Sequence, residues 1–303
     1  MKKTTGMTIA LLLLTSLLAA CGGSPPVADE PGTPPGDTGG ETPGGNTGGS
    51  TVVPAALLGD WQAGAASPIG YYDPNSGAWQ GATGSSFILK LRADGSYQYT
   101  GLLAVGSGSC QSKILSVERG RAAFDGDTMT FTPSEGDVQS TVCGAPVKHE
   151  PVTPSVRRWA LSVDDYGREA LYTRTQNGSG AADAFYRTDK AGQTFPRIGI
   201  SGAVTAPEGR SVSGTLVVAC YAEDPTCQSP ATKIQPVSGS GTFTFPALED
   251  RPYILSAVQD ANGNGVVDAG DLVDVYSTTD APGARPTVRP PADGASLDLV
   301  VVQ

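Results

Sequence analysis

The stretch SFILKLRADGSYQYTG, residues 86–101, indicates the fold class of this chain. Phe87, Leu89 and Leu91 occupy alternate positions, as the buried side chains of one face of a β-strand do. Asp94–Gly95 then provides a residue pair that tight hairpin turns favour, because both residues tolerate a left-handed backbone. The stretch therefore predicts a β-hairpin.

Two further stretches repeat this design. GRAAFDGDTMTFTP, residues 120–133, places apolar residues around a second Asp-Gly pair at Asp125–Gly126. RRWALSVDDYGREALYTRT, residues 157–175, has an apolar run on each side of a polar turn. No window of helical length carries apolar residues at a spacing of 3.6, so we predict an all-β protein.

The hairpins lie between GDW, residues 59–61, and AFYRT, residues 184–188. This G-x-W pattern followed by hairpins resembles the lipocalin-like barrels of bacterial lipoproteins. The resemblance implies that residues 54–190 form a β-barrel in which Trp61 closes one end beneath Arg187, with the guanidinium facing the indole ring. A barrel of about eight strands is either filled by its own side chains or holds one small apolar ligand. We favour the packed core, because the candidate interior residues are ordinary β-sheet apolars.

The folded region of about 250 residues is long enough for two domains, and a break at DKAGQTFP, residues 189–196, begins the second predicted domain, residues 191–303. GTFTFPALEDRPYILSAVQD, residues 241–260, and the strand-like segments at 214–221 and 295–303 alternate in the same way. The pattern resembles the prealbumin-like β-sandwiches of carboxypeptidase regulatory domains and of repeats in bacterial surface proteins. The resemblance implies an Ig-like β-sandwich after the barrel.

DANGNGVVDAGD, residues 260–271, has the spacing of an EF-hand calcium loop. Oxygen-bearing side chains at alternate positions of a curled backbone point toward one centre, and Gly265 permits the bend. The predicted Ca²⁺ ligands are the side chains of Asp260, Asn262, Asn264, Asp268 and Asp271 with the carbonyl of Val266. Val267 is expected to pin the loop to the core. The alternative is an ordinary turn rich in Asn, Gly and Asp, which leaves three carboxylates without a cation.

The N-terminus has a basic start and an apolar run, Ile9–Leu18, that is too short to span a bilayer. The run ends in LAAC, residues 18–21, which resembles the lipobox of bacterial lipoproteins. The resemblance implies a signal peptide at residues 1–20 and fatty acyl groups such as palmitate on Cys21, which anchor the chain to a membrane. Gly22 in place of Asp favours the outer membrane of the cell envelope. An ordinary secretory signal is the alternative.

Residues 21–53 are rich in Gly, Pro and Thr and contain no aromatic residue. Such a segment has almost nothing to bury, so we predict a disordered linker. Its reach of roughly 30 Å or more would hold the folded part away from the lipid headgroups.

Four cysteines remain beside Cys21. An even number in an oxidising compartment predicts disulfides, and the pairs within each predicted domain are Cys110–Cys143 and Cys220–Cys227. Zinc binding by the four thiolates is the weaker alternative, because no CxxC spacing is present.

The chain carries 20 Lys and Arg against 30 Asp and Glu, a net charge of −10. Since no basic cluster interrupts this balance, we expect no nucleic-acid partner and regard cations as suitable ones. His149 is the only histidine and lies in a polar segment interpreted as a loop. Without a nucleophile motif or a phosphate loop, the sequence predicts no enzyme.

The predicted function is therefore that of a lipid-anchored envelope protein with calcium-stabilised β domains for binding or structural display. Its partner is an unidentified envelope protein, a glycan or a small apolar ligand. The alternative is a carrier of a small lipophilic ligand in the barrel.

Overall fold

The computed structural model describes residues 52–64, 72–73, 78–79, 84–107, 110–176, 182–189, 192–275 and 286–303. The predicted signal peptide, the predicted lipidation site Cys21 and almost all of the linker lie outside these residues. Residues 49–303 form one compact unit. In the described part of the chain, no helix is long and apolar enough to span a bilayer.

Eleven strands belong to the N-terminal part of the described chain, after a short 3-10 helix at Ala55–Leu57. They are β1 (Gly59–Gly64), β2 (Tyr72–Asp73), β3 (Ala78–Trp79), β4 (Gly84–Leu91), β5 (Ser96–Ser107), β6 (Cys110–Asp125), β7 (Thr128–Val142), β8 (Lys148–Glu150), β9 (Ser155–Val163), β10 (Glu169–Thr175) and β11 (Asp183–Arg187).

Eight of these strands close into an antiparallel barrel. The order is β6-β5-β4-β1-β11-β10-β9-β7, and pairing of β7 with β6 completes the ring. Strand β8 adds to β7 beyond the ring, and β2 pairs only with β3. The predictions of an all-β fold and of a barrel are confirmed.

The hairpin predicted at residues 86–101 is β4 and β5. The Asp94 carboxylate accepts a hydrogen bond from the backbone N–H of Ser96 at 2.9 Å. Gly95 has φ +81°, a conformation in which a side chain would be strained. Turn chemistry readable from the sequence therefore fixes the register in which Leu91 lies opposite Tyr97.

The barrel is filled by its own side chains over much of its length. Thirteen buried apolar residues form one cluster: Val53, Leu57, Trp61, Ala63, Leu89, Leu91, Tyr97, Ala122, Phe124, Met129, Phe131, Leu171 and Phe185. Most of them occupy alternate positions of their strands, as inward-facing barrel residues must.

The C-terminal part of the described chain adds eight strands. They are β12 (Ile198–Thr205), β13 (Leu216–Tyr221), β14 (Lys233–Pro236), β15 (Thr242–Leu248), β16 (Tyr253–Gln259), β17 (Leu272–Val275), β18 (Ala292–Asp298) and β19 (Val300–Val301). One sheet has the order β15-β12-β18, and the other has the order β14-β13-β16-β17-β19. Both sheets contribute to a single second core, for example through Phe245 and Leu255. The β12–β18 pairing is parallel, and the others are antiparallel.

The barrel and the C-terminal sheets are in direct contact. Ala160 of β9 and Tyr172 of β10 pack against the second core from the outer face of the barrel. The Tyr221 and Ser162 hydroxyls share a buried hydrogen bond of 3.0 Å. The segment between the two parts is also held, since the Phe195 N–H donates to the Gly167 carbonyl at 2.8 Å. The predicted domain break near residue 190 gave no sign of this contact.

Both predicted disulfides are present. Cys110 and Cys143 have Cα atoms 4.3 Å apart and join the start of β6 to the residue after β7. Cys220 and Cys227 have Cα atoms 5.2 Å apart and close a short turn at the end of β13. Because these bonds use the four thiols, the zinc alternative has no ligands left.

Candidate functional site

The predicted calcium loop, residues 260–271, connects β16 to β17, two neighbouring interior strands of the five-stranded sheet. Its tip is exposed and its last residue is buried. The loop curls tightly because Gly265 adopts φ +78°, as does the neighbouring Gly263 at +75°. The bend expected at position 265 is therefore present.

The Asp260 carboxylate organises the first half of the loop. It accepts hydrogen bonds from the backbone N–H groups of Gly263 at 2.6 Å, Asn264 at 3.2 Å and Gly265 at 2.7 Å. The Gly265 N–H contributes most to holding the pKa of this carboxyl below its ordinary value, and the other N–H groups add to it. These N–H groups therefore favour the ionised form of the Asp260 carboxyl.

Three of the predicted ligands meet across the loop. The Asn262 side-chain amide donates to Asp268 Oδ1 at 2.9 Å, and the Asn264 amide donates to Asp268 Oδ2 at 2.6 Å. The Oδ1 atoms of both asparagines accept backbone N–H groups two residues further on, at 2.9 and 2.8 Å. The spacing of the motif thus brings its alternate polar side chains to one place, as alternate positions on a curled backbone require.

Asp271 lies at the base of the loop and is fully buried. Its two carboxylate oxygens accept the backbone N–H groups of Ala261 and Asp268, at 2.8 and 2.9 Å. The side chain therefore holds the two ends of the loop together. Val266 is exposed at the tip. The expectation that Val267 pins the loop to the core is wrong: its side chain is 54% exposed, and Asp271 provides the anchoring instead.

The donor set of the loop suits a hard cation, because every predicted ligand atom is an oxygen. In the described part of the chain, no three His, Cys, Asp or Glu side chains are grouped closely enough to hold a metal ion. A calcium ion here would depend on the two asparagine amides as well as on carboxylates. An amide rotation would turn each Asn oxygen toward the place where its nitrogen now contacts Asp268.

The predicted structural pair of the barrel lies at its closed end. Arg187 has its guanidinium carbon 4.4 Å from the centroid of the Trp61 ring, and its side chain is 2% exposed. The guanidinium donates to the carbonyls of Leu58 and Ala56, both at 2.7 Å, and the Trp61 indole N–H donates to Leu57 at 2.8 Å. The pair thereby fastens the 3-10 helix across this end of the barrel.

A small cavity inside the barrel has charged walls. It measures about 20 Å³, room for roughly one water molecule, and Glu118 and Arg157 line it together with Phe131 and Phe185. Burial raises the pKa of Glu118, and the Arg157 guanidinium opposes this rise. Sequence reasoning missed these two residues. Each keeps the alternation of the inward-facing residues of its strand, which was the signal available.

His149 lies in the short strand β8, not in a loop. Its side chain is 59% exposed, and its Nδ1 is 2.7 Å from an Asp137 carboxylate oxygen. This exposed pair is a surface contact of two residues on neighbouring strands.

No protein-family model, no curated protein and no solved structure matches this chain.

Proposed function

We propose that this chain is a non-catalytic, lipid-anchored protein of the bacterial cell envelope, whose β domains bind or display a partner and are stiffened by Ca²⁺ and two disulfides. The observation that carries the proposal is the loop at residues 260–271, where Asn262, Asn264 and Asp268 meet and the Asp260 carboxylate accepts three backbone N–H groups.

 The loop joins two strands and not two helices, so the ion would have a structural part and would not open a helix pair as a sensor does.

In this proposal Ca²⁺ is held by the side chains of Asp260, Asn262, Asn264 and Asp268 and by the carbonyl of Val266. Asp271 keeps its hydrogen bonds to the loop ends and offers its remaining lone pairs. The ion would replace the amide N–H contacts of Asp268 and neutralise the carboxylates of the loop. Extracellular modules of this kind work with weak sites, because calcium outside the cytoplasm is plentiful.

The family assignments belong to the same proposal. The closed barrel with Arg187 over Trp61 supports a lipocalin-like first domain. The two sheets around one core support a prealbumin-like second domain. The motif at residues 18–21 supports lipidation of Cys21 and retention at the outer membrane. The small volume of the cavity beside Glu118 gives no support to a lipophilic carrier.

Thermal unfolding of the full chain tests the calcium site. We expect added Ca²⁺ to raise the Tm and excess chelator to reverse the rise, because an ion that binds only the folded state stabilises it by mass action. Asp268→Asn should abolish the rise. Asp137→Asn is the control, because this carboxylate is on β7 of the barrel and not in the loop, and the variant should keep the rise in Tm. A Tm that ignores both Ca²⁺ and chelator would remove the ion from the proposal.

Mass spectrometry of the mature N-terminus tests the anchor separately. We expect Cys21 to carry a diacylglyceryl group, and we expect Cys21→Ser to release the protein from isolated membranes into the soluble fraction. An unmodified Cys21 in the wild-type protein would refute the anchor and leave the calcium result unaffected.

A further inference from the structure

A cleft of about 790 Å³ lies where the barrel meets the C-terminal sheets. Its walls come from β9 and β10 of the barrel, from the segment leading into β12, and from the turn between β15 and β16. The volume falls in the range of small-molecule sites, which are mostly apolar with a few polar groups. This cleft shares no lining residue with the small cavity beside Glu118 and Arg157.

The apolar part of the cleft includes both rigid and accessible side chains. Val163 and Leu248 are each 2% exposed and form a fixed wall. Phe195 also lines the cleft but is 41% exposed. An aromatic ring that is open to solvent beside a fixed apolar wall can cover an apolar ligand without rearrangement of the core.

The polar groups of the cleft are mainly acidic. Glu169, Glu249 and Asp250 line it, and Arg251 is its one cationic lining residue among those described. Arg251 is already engaged, because its guanidinium stacks on the Tyr221 ring with the carbon 4.1 Å from the centroid and pairs with Glu249 at 3.2 Å. An anionic ligand therefore finds no free cation here.

Glu169 is the group that a ligand would complement. Its side chain is only 16% exposed. In the described part of the chain its one polar contact is with the Arg187 Nε at 3.8 Å, which is longer than a hydrogen bond. Arg187 is also shared with Asp189, at 3.4 Å. A largely covered carboxylate without a hydrogen-bond donor is costly, so a donor that is also cationic would bind favourably.

We propose that this cleft binds a small apolar molecule carrying an ammonium group, with the apolar body against Phe195 and Val163 and the ammonium at the Glu169 carboxylate. The proposal is independent of the calcium loop, which lies between β16 and β17.

Isothermal titration calorimetry of the full chain with three matched probes tests the proposal. The probes are 4-phenylbutylamine, 4-phenylbutanol and 4-phenylbutyrate, which share an apolar body and differ in charge. We expect the amine to bind at least about 10-fold more tightly than the alcohol, a difference of about 1.4 kcal/mol, and the carboxylate to bind most weakly. Equal affinity for amine and alcohol, or no binding of the amine, would overturn it.

Two variants locate the site. Glu169→Gln should reduce the affinity for the amine to that for the alcohol, and Phe195→Ser should weaken both. Tyr166→Ser is the matched control, because Tyr166 is a 71% exposed aromatic that does not line the cleft, and it should change neither affinity. Because Phe195 is exposed, its variant should fold even if Glu169→Gln does not. Unchanged amine binding in either folded variant would contradict the assignment.

Discussion

Arg187 lies over the ring of Trp61, its direct partner in the β1–β11 ladder, with 4.4 Å between the guanidinium carbon and the ring centroid. The two side chains also hold the same short helix, through the carbonyls of Ala56, Leu57 and Leu58. The ring and the guanidinium therefore act as one structural unit at the closed end of the barrel.

This unit predicts coupled losses of stability. Trp61→Phe removes the indole N–H, and Arg187→Met removes the donors to two carbonyls. Each single change should destabilise the protein by roughly 2–4 kcal/mol, and the double change should cost about 1–2 kcal/mol less than their sum. Urea unfolding followed by tyrosine fluorescence and circular dichroism measures the cycle. Simple additivity would mean that the two side chains contribute independently.

Asp271→Asn should destabilise the protein even in excess chelator. The buried carboxylate accepts one backbone N–H group on each of its two oxygens. An asparagine amide would place an NH₂ donor against one of these N–H groups. We expect a loss of about 1–3 kcal/mol in urea unfolding. Asp268→Asn is the control, since its carboxylate contacts only side-chain amides of exposed residues. In excess chelator, Asp268→Asn should change the free energy of unfolding little. An equal loss of stability in the two variants would contradict the role of Asp271 as the residue that anchors the loop.

Glu118 should make stability depend on pH. Burial is the first cause of its raised pKa, so the folded state favours the protonated acid more than the unfolded state does. The stability contributed by this group is present below the unfolded pKa and is lost as pH rises through the folded pKa. As pH rises from the unfolded pKa of Glu118 through its folded pKa, the Tm of the wild type should therefore fall relative to that of Glu118→Gln.

The exposed carboxylate of Glu135, paired with Arg119 at 3.5 Å, is the control for that comparison. Glu135→Gln should follow the wild-type pH profile. A Glu118→Gln profile parallel to that of the wild type would show that this carboxyl is not buried in solution.

The two disulfides should contribute unequally. The Cys110–Cys143 bond closes a separation of 33 residues and the Cys220–Cys227 bond one of 7. Loss of loop-closure entropy in the unfolded chain predicts about 4 kcal/mol for the first and about 2 kcal/mol for the second. Paired Cys→Ala variants compared by urea unfolding measure both. A larger loss from the short loop would mean that contacts in the folded state, and not chain entropy, dominate.

The hairpins were readable from the sequence because their signals are local. Alternation at Leu89 and Leu91 sets the buried face, and Asp94–Gly95 sets the turn, without help from distant residues. The calcium-loop spacing is local in the same sense, since Asn264 and Asp268 are four residues apart and meet. The disulfide pairs followed from the even number of cysteines and from the predicted domain in which each pair lies.

Only the tertiary structure brought together groups that are far apart in the chain. Val267 is apolar yet exposed, because the buried Asp271 anchors the loop. Tyr221 contacts Ser162 across 59 positions, so the barrel and the C-terminal sheets are in contact, where the sequence predicted only a domain boundary. Local patterning determines which face of a strand is buried. Which faces then pack together depends on how much apolar surface each arrangement of the whole chain buries, and no short stretch of sequence determines that.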